Sequence, residues 1–431
     1  MPFRRSVVAY VDRGATGAAR RRRSTRYLLL QPAFTGSPYD LSVDKGIIPT
    51  LLAVRYGWDV SIASQRATSL PTGLRSIGFG AGRLDSLRCI WRLAPNTDVL
   101  HLVGFNVKTI VRALVYKARN PRGVCYVRLG ARTKLTELER LARTPGYGAI
   151  LRLALGVVDL VSGESAEALS CFRRIVSTCR PRRPPETMLV PSCGYDTNAV
   201  LARLHEARDV QAEILFIGRV GAPLKATDIL LAAFRRVREN CGVPARLHLV
   251  GPLESRFQEM FDQWSKQASQ ATRAAVSLVG PVWDRGALMG HYLRAKVFVI
   301  CSRWEGGPNV FAEAASCGCL LVGTPVGQVP DVVHAAGGGW VVSIDDVGAL
   351  ADALAEAVNT TDSESLRMDR IRAFGRQYSW SAVMEALVGR LIAVSKAKGG
   401  RASPATDGSS PREPCDVTSC VPGATPEGSK P

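Results

Sequence analysis

The chain has 431 residues, of which 46% are hydrophobic and 22% are charged. This length exceeds what one ordinary hydrophobic core supports, so it predicts two domains of roughly 200 residues or fewer each. No stretch approaches the roughly 20 uninterrupted apolar residues of a transmembrane helix, which excludes an integral helical membrane protein.

Positive charge is concentrated in the N-terminal half. The formal net charge is +19, of which residues 27–200 contribute +11 while residues 201–395 are neutral. This asymmetry predicts an anionic partner for the N-terminal half: a membrane surface, a lipid-linked phosphate or nucleic acid. We expect no nucleic acid, because no RNA- or DNA-binding module is present and aromatic residues make up only 7% of the chain. A solvated face without a specific partner is the alternative.

The 11 cysteines show no spacing typical of a metal site. Cys317 and Cys319 are close together, but no histidine is nearby and the usual C-x₂-C spacing of zinc sites is absent. We expect reduced, cytosolic thiols rather than a zinc or redox site.

The N-terminal half alternates short apolar strands with longer amphipathic helices. Residues 1–25 are basic, lack the apolar core of a secretory signal and are predicted to be disordered. Strands are then predicted at 26–31, 59–64, 98–103, 123–130 and 158–163, with helices at 46–56, 83–93, 107–119 and 135–155.

A second series follows a linker near 188–200 that is marked by Pro191, Gly194 and a cluster of turn-forming residues. Strands are predicted at 212–219, 245–251, 275–280, 296–302, 319–325 and 339–344, with helices at 230–240, 257–270 and 286–294. A late helix is predicted at 380–397, followed by a flexible tail at 398–431 that is rich in Pro, Gly and Ser.

Continuous Val, Ile and Leu strands that alternate with helices are typical of parallel sheets covered on both faces. The sequence therefore predicts an α/β protein with two doubly wound, Rossmann-like domains, at residues 26–195 and 196–378, with residues 379–397 as a separate C-terminal helix.

The stretch ILFIGRVGAPLK joins a predicted strand to a predicted helix. Gly218 permits a tight turn, and Arg219 and Lys225 place two cations in the loop. Ligands of parallel sheets collect at the carboxyl ends of strands, and two cations near a helix N-terminus suit a diphosphate. An ordinary solvated loop is the alternative.

The stretch CSRWEGGPNVFAEAASCGC has the same arrangement. Glu305 lies in the loop, Gly306 and Gly307 let a backbone approach a ligand, and Pro308 suits the first helical turn. Glu305 could accept hydrogen bonds from sugar hydroxyls and Glu313 from a second set of hydroxyls, such as those of a ribose. Two alternatives remain: Glu305 caps the helix while Glu313 is solvated, or the two carboxylates form the acid/base pair of a glycoside hydrolase.

These motifs in this order resemble the retaining glycosyltransferases of family 4, also called glycosyl transferases group 1, which have the GT-B fold of two domains facing a central cleft. The resemblance rests on GRVGAPLK, LHLVG, SLVGPV, VPSCGYDT and the stretch from LRAKVFVIC to VGQVPDVV. The E-x₇-E motif of that family corresponds to Glu305 and Glu313, and its G-R…K motif to Gly218, Arg219 and Lys225. The resemblance is close over 190–395 and loose over 26–180.

The resemblance implies a role for each motif residue. Arg219 and Lys225 would bind the donor diphosphate and stabilise the leaving charge, helped by the amides of Asn309 and Val310. Glu305, beside Gly306 and Gly307, would hold the donor sugar, and Glu313 the ribose. Family members generally need no metal or other cofactor, and the last helix crosses back to the first domain.

The chain departs from the family pattern at four places, one of which is a gap between Arg219 and Lys225 that is one residue longer than usual. The first loop offers only Gly36 where a glycine pair is common, and Arg128 follows a strand where many members carry a histidine, so Gly36 and Arg128 are only candidate acceptor-side residues. Ala226 stands where glycine is common. His101 is interpreted as a core histidine.

The sequence thus leads to the hypothesis of a cytoplasmic retaining glycosyltransferase that takes a sugar from a nucleotide diphosphate. The acceptor would be a glycan or a lipid-linked glycan, with a possible peripheral position at the inner face of a membrane, and the helix around 132–143 is one possible contact surface. A nucleotide-sugar epimerase of similar fold and a non-catalytic nucleotide-sugar-binding protein are the alternatives.

Overall fold

The computed structural model describes residues 24–37, 40–41, 43–71, 73–130, 135–207, 213–400 and 402–403. The disorder expected for most of 1–25 and of 398–431 therefore falls largely outside the described residues. The same holds for Arg132 and Lys134 of the basic stretch at 132–143.

Seven parallel strands form the first sheet, in the spatial order β3-β2-β1-β4-β5-β6-β7. The strands are β1 (Arg26–Leu30), β2 (Asp59–Ser64), β3 (Leu74–Gly78), β4 (Val99–Val103), β5 (Val124–Arg128), β6 (Leu160–Gly163) and β7 (Glu186–Leu189). The helices are α1 (Asp44–Val54), α2 (Asp85–Leu93), α3 (Val107–Arg119), α4 (Leu135–Ala142), α5 (Pro145–Val157), α6 (Ala166–Cys179) and α7 (Thr197–Ala202).

Six parallel strands form the second sheet, in the order β10-β9-β8-β11-β12-β13. The strands are β8 (Glu213–Ile217), β9 (Arg246–Val250), β10 (Val276–Gly280), β11 (Val297–Ile300), β12 (Leu320–Gly323) and β13 (Trp340–Val341). The helices are α8 (Thr227–Glu239), α9 (Phe257–Gln267), α10 (Gln270–Ala274), α11 (Arg285–Arg294), α12 (Asn309–Ser316), α13 (Val329–Ala335), α14 (Val347–Asn359), α15 (Glu364–Tyr378) and α16 (Trp380–Ala397).

Each sheet is buried by helices on both faces, as the apolar strands predict. Strand β11 shows why: all four of its side chains are buried, and alternate ones enter different hydrophobic clusters, Val297 and Val299 on one face, Phe298 and Ile300 on the other. A strand covered on both faces needs no polar alternation, so its sequence is a continuous apolar run.

Several elements differ from the sequence prediction, which contained none of the helices α6, α7, α10, α13 and α14. Strands β3 and β7 were missed because they lie at the sheet edges and alternate partly exposed side chains. The single helix predicted over 135–155 is two helices, since Thr144 takes an extended conformation before Pro145, which occupies the first turn of α5. The prediction also missed α15, because only four of its 15 residues are buried and its apolar pattern is therefore weak.

Helix α16 returns the chain to the first domain. Its buried face includes Met384, Leu387 and Leu391, which join the cluster that covers one face of the first sheet with Tyr27 and Val60. The residues beyond α16 are tied to the same domain, because the Thr25 hydroxyl donates to the Ser403 carbonyl over 3.0 Å. The first domain is therefore built from both ends of the described chain.

The two places where the chain passes between the domains lie next to each other. A Cβ atom on Gly375 of α15 would lie only 2.0 Å from Oγ1 of Thr197, the first residue of α7. This close approach requires glycine at 375 and joins the outgoing and returning segments.

None of the helices in these described ranges has both the length and the hydropathy needed to cross a membrane.

We expect Leu391→Ala to lower the free energy of unfolding by about 3 kcal/mol, because the fully buried side chain leaves a cavity under α16. The measurement is urea denaturation followed by circular dichroism. Leu366→Ala on α15, where the leucine is half exposed, is the matched control and should change stability by under about 1 kcal/mol. Equal effects of both substitutions would show that α16 is not a structural part of the first domain.

Candidate functional site

A cavity of about 850 Å³ lies between the two domains, at the carboxyl ends of both parallel sheets. The first domain supplies residues that follow β1, β4, β5 and β6, and the second domain supplies the loop after β11. The second-domain part consists of Trp304, Glu305, Gly306, Gly307 and Asn309. Most of the predicted E-x₇-E loop therefore lines the cleft.

Lys225 and Glu305 form an ion pair, although they are 80 positions apart in sequence. Strands β8 and β11 are neighbours in the second sheet, so the loops that follow them meet at one edge. The Ser302 hydroxyl also donates to Oε1 of Glu305 over 2.7 Å. Both charged side chains are more than four-fifths buried, which fixes a cation and a carboxylate side by side at the cleft.

The loop after β8 depends on close backbone contacts. A Cβ atom on Gly251 would lie 1.9 Å from the Gly218 carbonyl oxygen, so only glycine fits at 251. Ala226 precedes α8 in the left-handed region, at φ 49°. This conformation explains why glycine is common at this position, and the buried alanine methyl group contributes apolar contacts that partly offset the strain.

Arg219 lies in the same loop but is less constrained. Its guanidinium donates to Glu254 over 3.2 Å, and 60% of its side chain is exposed. The structure therefore brings Lys225 and Glu305 together and leaves Arg219 at the rim.

The Gly306-Gly307 turn leads into α12 without a side-chain cap. Pro308 occupies the N-cap position and no side chain accepts a hydrogen bond from the first turn. The interpretation of Glu305 as the helix cap is therefore wrong. The amides of Asn309 and Val310 begin the helix beside the loop that lines the cavity.

Glu313 is buried, which contradicts the interpretation that it is solvated. Its carboxylate accepts a hydrogen bond from Tyr292 over 2.9 Å and pairs with Arg285 at 3.1 Å. Arg285 also lies over the ring of Tyr195. Glu313 and Glu305 therefore have different cationic partners.

Arg128 lies on the first-domain side of the cavity and is almost fully buried. Its Nε pairs with Asp44, its Nη1 donates to the Val190 carbonyl over 2.9 Å, and its Nη2 lies 3.8 Å from Glu164. Burial would lower the pKa of Arg128, but the two carboxylates hold it above its ordinary value. One buried guanidinium thus stands between two carboxylates.

Glu164 follows β6 and faces the second domain. A Cβ atom on Gly307 would lie 2.7 Å from its Oε2, so this carboxyl group touches the loop of the predicted E-x₇-E motif. Burial raises the pKa of Glu164 to about 7; Arg128 opposes this rise and the charge of Asp44 adds to it.

Two further sequence interpretations concern the first domain. Gly36, at φ 71°, lies against Thr68 and Ser69 and is not among the residues that line the cavity. His101 is a core histidine, as expected: it is fully buried, stacks on Tyr126 and contacts the Tyr27 hydroxyl through Nδ1. Burial lowers the pKa of His101 to about 3, so the ring is neutral.

The sequence reasoning missed Asp44, Glu164, Ser302 and Trp304. Glu164 had a readable signal, because it directly follows the apolar run that forms β6. Asp44 had none: it lies beyond the loop after β1, and only the fold brings it to Arg128. In the described parts of the chain, no group of three or more His, Cys, Asp or Glu side chains could hold a metal ion.

We expect Glu164→Gln to stabilise the protein at pH 8 by about 1–3 kcal/mol and to change little at pH 5. The pKa of Glu164 is raised to about 7 in the folded state, so its buried charge destabilises the fold progressively as the pH rises from the unfolded value through about 7. The measurement is thermal unfolding at both pH values. The exposed Glu167→Gln on α6 is the control, and a stabilisation by Glu164→Gln that is equal at both pH values would contradict the prediction.

Sequence comparisons with known proteins find similar glycosyltransferases. Residues 211–360 match the sequence model of the family Glycosyl transferases group 1. WcaL of Salmonella typhimurium, a glycosyltransferase assigned provisionally to colanic acid biosynthesis, is 26% identical over 226 residues, which are 49% of this chain and 50% of WcaL. D-inositol 3-phosphate glycosyltransferase 1 of Catenulispora acidiphila is 29% identical over 268 residues, 61% of this chain and 62% of that protein. The chain spans less than two thirds of the length of either relative.

Solved structures match over most of the chain. HepE of Anabaena in complex with UDP has a TM-score of 0.61 at 14% identity, covering 86% of this chain and 100% of HepE. The α,α-trehalose 6-phosphate synthase of Burkholderia multivorans has a TM-score of 0.65 at 13% identity, covering 87% of this chain and 100% of that enzyme. The chain therefore has the GT-B fold of two Rossmann-like domains, and its residues 211–360 match the sequence model of the glycosyl transferases group 1.

Proposed function

We propose that the protein is a retaining glycosyltransferase that moves a sugar from a nucleotide diphosphate to a glycan or lipid-linked acceptor in polysaccharide or glycolipid biosynthesis. The observation that carries the proposal is the ion pair of Lys225 with Glu305, a residue that lines the interdomain cavity, within the segment that matches Glycosyl transferases group 1. UDP in the structurally similar HepE supports a nucleotide-sugar donor.

The Lys225–Glu305 ion pair suggests how the donor binds. A diphosphate at the edge formed by the loops after β8 and β11 would take Lys225 away from Glu305, because phosphate oxygens carry more negative charge than one carboxylate. Glu305 would then be free to accept hydrogen bonds from the donor sugar. Lys225, Arg219 and the first amides of α12 would stabilise the charge that develops on the leaving diphosphate, and Glu313 would accept from the ribose.

This arrangement needs no nucleophilic carboxylate, metal ion or other cofactor. Positively charged side chains and helix amides can stabilise the leaving group directly, and closure of the cleft excludes water. Retention of the anomeric configuration then follows if the acceptor attacks from the side of the departing diphosphate. Proton NMR of the first product formed would identify its anomer, and activity that survives EDTA would support the absence of a metal.

The alternatives differ in their products. An epimerase would convert the donor into an isomeric nucleotide sugar without an acceptor, and a binding protein would leave it unchanged. A glycosyltransferase releases the nucleoside diphosphate and forms a new glycoside. Chromatography of the reaction with donor alone and with donor plus acceptor separates all three.

A surface of the first domain supports a cytoplasmic location next to a membrane. Helices α2, α3 and α5 carry exposed apolar side chains, namely Trp91, Val107, Val111, Leu114, Ile150 and Leu153. Exposed basic residues lie on the same three helices, namely Arg88, Arg92, Lys108, Arg119 and Arg152, and the guanidinium of Arg119 lies 4.9 Å from the ring centre of Trp91. We call these 11 residues the apolar-basic surface.

Exposed apolar and basic side chains together fit an anionic bilayer, where apolar groups enter the interface and cations meet lipid head groups. We therefore propose that the apolar-basic surface holds the protein peripherally at the inner face of a membrane. This location would bring a lipid-linked acceptor to the cleft.

We expect Lys225→Ala to reduce the rate of nucleotide release from the donor by about 10²–10³-fold, because a preorganised cation at the leaving group is lost. The measurement is nucleoside diphosphate release with the best-bound nucleotide sugar. Lys266→Ala, an exposed lysine on α9, is the control and should retain full activity. Unchanged activity in Lys225→Ala would refute the assigned role.

We expect Trp91→Ser combined with Leu153→Ser to weaken binding to vesicles of phosphatidylglycerol and phosphatidylcholine by at least about tenfold, because both side chains would enter the interface. Sedimentation with the vesicles measures the bound fraction. Trp283→Ser is the control, since Trp283 is 81% exposed on the other domain. If the wild-type protein shows no preference for anionic vesicles, the membrane part of the proposal fails.

A further inference from the structure

The interdomain cavity is acidic, although the domain that forms most of it is basic. Among the described residues, six acidic or basic side chains line the cavity: the carboxylates are Asp44, Glu137, Glu164 and Glu305, and the cations are Lys45 and Arg128. Apart from Lys45 and Arg128, the described basic side chains of residues 27–200 are not among those that line the cavity.

Both cations already have carboxylate partners within the first domain. Lys45 pairs with Asp40, and Arg128 pairs with Asp44 on one side and faces Glu164 on the other. The guanidinium is almost fully buried, so it neutralises these two carboxylates more than it attracts a ligand. Among the described residues that line the cavity, a second anion at this point would face carboxylates and two cations that already have carboxylate partners.

Glu164 is the carboxylate nearest the second domain. Its side chain is 15% exposed, and Oε2 lies against Gly307, the residue before α12. Ser192 contacts the same glycine, because its hydroxyl donates to the Gly307 carbonyl over 3.3 Å. Glu164 therefore stands where the first-domain half of the cavity meets the loop that would hold the donor sugar.

We propose that Glu164, supported by Arg128 and Asp44, binds a hydroxyl group of the acceptor, and that the acceptor sugar is uncharged at this end. The carboxyl group of Glu164 can accept a hydrogen bond from a hydroxyl, whereas a sugar phosphate is mainly a dianion at neutral pH and is repelled by the carboxylates of the cavity. The inference rests on the proposed function and specifies its substrate class: a neutral sugar rather than a sugar phosphate. Any phosphate of a lipid-linked acceptor lies outside this part of the cavity.

A panel of acceptors tests the substrate class. The donor is the nucleotide sugar that raises the melting temperature most in a screen of UDP-, GDP-, ADP- and dTDP-linked sugars. The acceptors are methyl glycosides and disaccharides of glucose, galactose and mannose, and the 6-phosphates of the same three sugars. We expect nucleotide release above the rate with water for members of the neutral set and not for the phosphates.

A substitution tests the role of Glu164 in acceptor binding. We expect Glu164→Gln to raise the KM for the neutral acceptor by about 10–100-fold, the cost of replacing a charged hydrogen-bond acceptor, with the donor KM within about twofold of wild type. A purely structural role would change both constants or neither. Glu356→Gln, which is exposed on α14 of the second domain, is the control and should leave both constants unchanged.

The outcomes separate this inference from the proposed function. Donor cleavage by water that is lost in Lys225→Ala supports the proposed function whatever the acceptor. With cleavage present, stimulation by the sugar phosphates, or by neither set, overturns the inference, as does an unchanged acceptor KM in Glu164→Gln. If no nucleotide sugar binds or is cleaved, the proposed function itself fails.

Discussion

The site depends on the adjacency of β8 and β11 in the second sheet. Because these strands are separated by 79 positions of chain but are hydrogen-bonded neighbours, the loops that follow them meet at one edge. This adjacency pairs Lys225 with Glu305 and puts both beside the N-terminus of α12. In the first sheet, β5 and β6 are also neighbours, and this adjacency brings Arg128 and Glu164 together. Two parallel sheets with facing carboxyl ends thus collect the charged groups in one cleft.

The charges of the cleft are divided between the domains. The second domain offers Lys225 and uncapped helix amides, which favour an anion, whereas the first domain offers carboxylates that surround a buried guanidinium. Such a division suits a reaction in which a diphosphate leaves on one side while a hydroxyl group approaches from the other. Most of the described basic side chains of the first domain lie outside the cavity, whereas carboxylates outnumber cations among the described residues that line it.

The sequence predicted the fold class and the second-domain motifs because both are local. Continuous apolar strands show parallel sheets, and Glu305, Gly306 and Gly307 are close in sequence. The edge strands β3 and β7 were missed since their side chains are only partly buried. The partners of Glu313 could not be read, because Arg285 comes from α11 and meets it only through packing. Asp44 is a similar case, as its role follows from a contact across 84 positions of sequence.

The return of the chain through α16 gives the molecule two connections between its domains instead of one. The close approach of Gly375 to Thr197 places both connections side by side. A double connection of this kind resists twisting and sliding of one domain over the other, while rotation about an axis through the joined segments remains easy. We therefore expect the cleft to open and close by rotation about one hinge axis, so that each closure returns the same loops to the same relative positions.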